Sequence, residues 1–155
     1  MRWLRKWGPA IGWAAVIWVF STELFSGSGT ARVILPLLRW LLPQASEETL
    51  DMLHFAIRKA AHLTEYFIFS LLVLRGIRGE RRGWRLAWGL ATVAIVAIYT
   101  ALDEVHQAFV PGRGASPFDS LLDASGAVAA QFLAWIHARW QSRRLGLQLL
   151  KPPHS

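Results

Sequence analysis

Two short stretches hold most of the side chains in this chain that could do chemistry. The first, RKAAHLTEYFIFS from residue 58, supplies Arg58, Lys59, His62, Glu65 and Tyr66. The second, ALDEVHQAFVPGRGASPFDSLLDASG from residue 101, supplies Asp103, Glu104, His106, Gln107, Arg113, Asp119 and Asp123. At helical spacing Arg58, His62 and Glu65 share one face, with Lys59 and Tyr66 on its adjoining edge. Asp103 and Gln107 lie four residues apart on one face, Glu104 points about 100° away, and Asp119 and Asp123 form another pair four apart. An imidazole among carboxylates suits proton transfer. His62 or Glu65 is therefore a candidate catalytic base, and Asp103 and Glu104 are candidate acid/base groups or metal ligands. Arg113 can present its planar fork, and Lys59 a point charge, to a phosphate or carboxylate. Tyr66, Gln107, Asp119 and Asp123 complete the candidate ligand-binding set.

Carboxylates outnumber cations in these stretches. Glu65, Asp103, Glu104, Asp119 and Asp123 face Arg58, Lys59 and Arg113. A purely structural ion-pair network has little use for surplus acid, so either some carboxyls are protonated or a cation or cationic ligand completes the site. His62 with Glu65 is an i, i+3 ligand pair, and the aspartates could add oxygens for zinc, magnesium or calcium. That spacing permits a metal without specifying one, so metal and cofactor stay unassigned. The bland readings are that Asp119 caps its helix, that Asp103 pins Arg113, and that Tyr66 is a core or interface aromatic. His54, His106 and His137 read as bystanders. No cysteine is present, which removes thiolate sites and disulfides, and no serine sits in a nucleophile motif.

The elements that must position these groups are apolar. Hydrophobic residues make up 54% of 155 and mean hydropathy is +0.31, which points to one membrane domain spanning 1–155. The runs 7–25, 59–74, 84–102 and 120–140 predict four transmembrane helices in an all-α fold. Between the first two, Gly27, Ser28 and Gly29 read as a hinge, and TARVILPLLRWLLP, with Pro36 and two arginines, reads as an interfacial segment. Ser46 should cap a helix running over 47–75, with Glu47 and Glu48 in its first turn. Pro111, Gly112, Gly114 and Pro117 predict an irregular loop between the third and fourth spans, with Ser116 as N-cap and Pro117 at N1 of the last helix. Residues 141–155 read as a frayed basic tail. Gly12, Ala15, Gly89, Ala91, Ala94, Gly126, Ala127 and Ala130 are the small residues expected to let helices pack closely.

A net charge of +7 raises nucleic-acid binding as a class. The basic residues instead cluster in caps between apolar runs, which sets nucleic acid aside. Arg2, Arg5 and Lys6, the arginines of 75–85, and Arg139, Arg143, Arg144 and Lys151 make twelve of the seventeen Lys and Arg. With four spans, all of these fall on one side, which is then cytoplasmic along with both termini. Every acid except Glu80 falls in the opposite half, so the polar site faces outward. Trp3, Trp7, Trp84, Trp88 and Trp140 mark the cytoplasmic boundary as an aromatic belt.

The two-part pattern R-K-x-x-H-x-x-E-Y and D-E-x-x-Q-x-F-x-P-x-R-x(5)-D-x-x-x-D-x-x-G resembles the VanZ-like family of small membrane proteins. Its positions are Lys59, His62, Glu65, Tyr66, Asp103, Glu104, Gln107, Phe109, Pro111, Arg113, Asp119, Asp123 and Gly126. Asp123 departs from the asparagine common there. The resemblance implies a cell-envelope role associated with resistance to glycopeptides such as teicoplanin. Its expected partners are a membrane lipid or lipid-linked envelope precursor, or an amphiphilic antibiotic, at the outer leaflet. Binding of such a molecule is the leading reading, and its modification is an extension of that reading. A small proton-coupled carrier, in which the same groups relay protons through an oligomer, and a non-catalytic assembly factor are the alternatives.

Overall fold

The structure, a computed structural model, describes residues 2–110 and 117–149. Helices α1 (Arg2–Phe20), α2 (Gly27–Leu41), α3 (Glu47–Arg78), α4 (Leu86–Ala108) and α5 (Pro117–Leu149) follow one another, with a 3₁₀ turn at Glu23–Phe25 after α1. No strand occurs among the described residues, so the fold is all-α as expected. The loop at 111–116, which includes Arg113 and Ser116, lies outside the described residues.

The sequence explains where the helices begin. Ser46 accepts a hydrogen bond from the Thr49 amide at 3.2 Å, and Glu47 and Glu48 follow in the first turn of α3. Ser26 does the same for α2, accepting from the Gly29 amide at 3.1 Å. This corrects the reading of Gly27, Ser28 and Gly29 as a hinge: they are the first turn of a helix, because a capping serine outweighs two flexible residues. Pro36 sits inside α2 without ending it. Arg39 clamps the α2–α3 connection through hydrogen bonds to Glu47 at 3.2 and 2.6 Å, which hold that exposed carboxyl below its ordinary range.

Other boundaries also move. α1 closes at Phe20 rather than 25, and α4 runs through Asp103 and Gln107 instead of stopping at 102. α3 passes Gly76 to end at Gly79, whose φ of 60° only glycine adopts readily. α5 continues to Leu149, so most of the expected frayed tail is helical. Among the small residues, Gly126, Ala127 and Ala130 are buried as expected, whereas Gly12, Ala15, Ala91 and Ala94 lie on open surface.

α3 is the centre, packing against α1, α2, α4 and α5. Its core partners are Ala10 and Ile17 of α1, Val96 of α4 and Ala127 of α5, around Tyr66, Phe69 and Val73. α3 and α4 are long and apolar enough to cross a membrane, and only 33% of the apolar window of each is buried. A core helix of a water-soluble domain would bury most of such a window. Both are also far from the N-terminus, unlike a signal sequence. Large apolar side chains such as Leu90, Ile98, Leu102, Val105, Phe132 and Leu133 point outward from the bundle.

Candidate functional site

One end of the bundle gathers the polar groups that the sequence singled out. Asp103, in the last turns of α4, is 2% exposed. Its Oδ1 accepts from the Ser21 hydroxyl, just beyond α1. Its Oδ2 accepts from the Tyr66 hydroxyl of α3 at 2.8 Å and from Gln107 Nε2, one turn along α4, at 2.8 Å. Gln107 Nε2 also lies 3.4 Å from Ser21 Oγ. One carboxyl group thus ties the end of α1, the middle of α3 and the last turns of α4 together through neutral donors. The i, i+4 spacing puts Asp103 and Gln107 on one face, where the structure joins them. Ser21 was missed, because a serine closing an apolar run carries no motif; the one available signal is its position beside the acids once α1 and α4 are set parallel with their C-terminal ends together.

The other acids face α3. Lys59 makes an ion pair and hydrogen bond with Asp119, in the first turn of α5. One turn further, His62 Nδ1 stands 3.7 Å from Asp123 Oδ1, and Asp123 is 3% exposed. The rungs occur in this order because Lys59 and His62 are three apart on α3 while Asp119 and Asp123 are four apart on α5. The helices can close this far because of Gly126, where an added Cβ would come within 2.5 Å of the Leu63 carbonyl oxygen. Glu104 is half-buried next to Asp103. His106 does not stand alone: its ring stacks on Trp18 of α1 at 4.0 Å. His54, also read as a bystander, is joined to Thr30 of α2 through Nε2 at 3.1 Å.

Beside this bracing lies a cavity of about 200 Å³ between α3 and the α1–α2 connection. Arg58, His62 and Glu65 line it from α3, and Phe20, Phe25 and Thr30 from the other side. The three α3 residues are those that the helical spacing put on one face. The opposing wall was not foreseen, since it requires the 3₁₀ turn to fold back over α3. Phe20 and Phe25 pack with ring centroids 4.7 Å apart. Gly27 makes room for the cation: a Cβ there would meet Arg58 Nη1 at 2.7 Å. The Trp13 indole fixes the far side by donating to the Glu65 carbonyl at 2.9 Å.

The cavity therefore presents a guanidinium, an imidazole and a carboxylate against two phenyl rings. Such a set can hold a charged or hydrogen-bonding head group and an adjoining apolar segment together. His62 and Glu65 are the cavity residues able to move a proton. Asp103, Tyr66 and Gln107 stand outside it, bonded to one another, and Lys59, Asp119 and Asp123 brace α3 against α5. Among the described residues, no three His, Asp or Glu side chains are grouped to hold a metal ion.

No curated protein and no solved structure matches the chain. The family model described as VanZ/LLP1 matches residues 7–138, a stretch that contains every element of this site from Phe20 to Asp123. With that match over most of its length, the chain belongs to the VanZ/LLP1 family, and its two helices long and apolar enough to cross a membrane fit a membrane protein.

Proposed function

We propose that this protein spans the membrane four times, through α1, α3, α4 and α5, and holds an amphiphilic or lipid-linked envelope molecule at the outer leaflet. Family membership supports an association with glycopeptide resistance. The observation that carries the ligand reading is the half-polar, half-phenyl cavity lined by Arg58, His62, Glu65, Phe20 and Phe25. Arg58 pairs with an anionic head group, the two rings cover the first apolar segment, and Thr30 adds a hydroxyl. Arg113, outside the described residues, is a second candidate for holding the anion. His62 and Glu65 are the groups that would serve a reaction, and Glu104 on α4 is a third candidate. Asp103, Tyr66 and Gln107 hold the wall, and Lys59, Asp119 and Asp123 fix its angle. The basic residues of the opposite end, which include Arg5, Lys6, Arg75, Arg78 and Arg81, support a cytoplasmic assignment for that end and for both termini.

The test is to purify the full chain in mild detergent and identify co-purifying amphiphiles by native mass spectrometry. Arg58→Ala and Arg113→Ala should each release the bound species and lower teicoplanin tolerance while leaving the melting temperature near that of the parent. Full retention by both folded variants would sink the ligand reading. Loss of melting temperature ahead of any loss of tolerance, in these and in Glu65→Gln, would instead favour the assembly-factor reading. Tolerance that follows the transmembrane proton gradient and is abolished by His62→Gln would favour the carrier.

A further inference from the structure

The opposite end of the bundle holds a larger cavity, about 380 Å³, between the end of α3, the start of α4 and the second half of α5. Its lining combines Leu74, Trp84 and Leu133 with Arg75, Arg78 and His137. Arg78 also lines an adjoining hollow with Lys6 and Arg81, and Arg75 lines another with Arg5 and Lys6. Glu80 is the single acid in these three linings. Among the described residues, no carboxylate pairs with Arg75 or Arg78. Arg78 Nε is moreover shut away from solvent without a hydrogen-bond partner. A buried guanidinium donor left unmatched is costly, and an anionic oxygen is the acceptor that it fits.

The wall of the cavity is preformed. Trp84 Nε1 donates to Gln131 Oε1 at 3.2 Å, and Gln131 Nε2 donates to Ser70 Oγ at 2.8 Å, so the indole is anchored to both α5 and α3. This polar relay, buried in the middle of the bundle, has no part in the site at the other end. Its evident effect is to hold one apolar face of the cavity in place. From the unpaired arginines and the apolar wall together, we infer that this cavity is a binding site for an anionic glycerophospholipid. The phosphate lies on Arg75 and Arg78, and the acyl chain runs along Leu74, Trp84 and Leu133. A free phosphate would find the cations and leave the apolar wall uncovered; a zwitterionic lipid would bring its own positive charge to the arginines.

Native mass spectrometry of the full chain, titrated with dioleoylphosphatidylglycerol or dioleoylphosphatidylcholine, tests this. The anionic lipid should bind roughly tenfold more tightly, and Arg78→Ala should remove about that factor, the expected effect of losing a hydrogen bond to a charged group. Arg82→Ala, in the same basic segment but outside the cavity lining, should leave binding unchanged. Because Arg78→Ala could disturb folding, Leu133→Trp, which fills the cavity and keeps both arginines, should also abolish binding of the anionic lipid at an unaltered melting temperature. Equal binding of the two lipids, equal losses in Arg78→Ala and Arg82→Ala, retention by Leu133→Trp, or full displacement of the lipid by inorganic phosphate would each overturn the assignment.

Discussion

At the scale of single residues, the carboxylates at one end of the bundle separate into three kinds by their surroundings. Asp103 is enclosed by hydroxyl and amide donors, Asp119 faces Lys59 and Asp123 faces His62 across a helix interface, and Glu65 lines a cavity. Each kind responds differently to mutation. Asp103→Asn replaces one acceptor oxygen with a donor amide in a nest of donors, so it should destabilise the protein by about 1–3 kcal/mol, read as a lower melting temperature in detergent. Tyr66→Phe and Ser21→Ala each remove one donor to the same carboxylate. Their combined effect should depart from the sum of the two, because the partners share an acceptor. Glu65→Gln keeps the shape of the cavity wall while removing its charge, and should change ligand retention. A large melting loss in Glu65→Gln with none in Asp103→Asn would reverse the assignment of scaffold and site.

Between elements, the contact of α3 with α5 sets the geometry of the polar end. Gly126 permits it and the Lys59–Asp119 and His62–Asp123 rungs align it. Gly126→Ala would put a methyl against the Leu63 carbonyl, which belongs to helix backbone and cannot swing aside. The two helices must separate, at a cost of about 1–3 kcal/mol, and ligand retention should fall along with melting temperature. Exchanging the charges, Lys59→Asp with Asp119→Lys, should recover part of the loss shown by either single change. A thermal-melting double-mutant cycle with no coupling would mean that the rung is incidental. His54 and Ser26 play the corresponding part for α2: one holds it to α3 through Thr30, the other starts it. His54→Phe should loosen α2 and with it the Phe25 wall, lowering ligand retention more than melting temperature.

For the whole molecule, the governing fact is that large apolar side chains cover its outside while polar groups gather at its two ends. The protein should accordingly stay with the membrane fraction after alkaline extraction. If the four-span arrangement is right, reporter fusions after Arg82 and at the C-terminus give a cytoplasmic signal, and one inserted at Gln44 gives an extracytoplasmic one. A cytoplasmic signal from Gln44 would overturn the orientation. The two ends also differ in chemistry: acids beside a small cavity at one, unpaired arginines beside a larger one at the other.

The sequence by itself determined the class of fold, the capping serine of α3, the two polar helix faces and the family pattern. These are local properties, written in helical periodicity, in capping residues and in motif spacing. It also set Asp103 and Gln107 on one helix face, which needs only one turn of helix. The tertiary structure decided everything that depends on which face meets which. It enclosed Asp103 with Ser21 and Tyr66, from segments far apart in the chain, and set the acids of α5 against Lys59 and His62. It folded the Glu23–Phe25 turn back to close a cavity over Arg58, His62 and Glu65. Among the described residues it also left Arg75 and Arg78 without an ion pair, beside an anchored tryptophan. Hydrogen-bond partners, burial and cavities arise from non-local packing, where side chains distant in sequence compete for the same space, and no short-range pattern encodes the outcome.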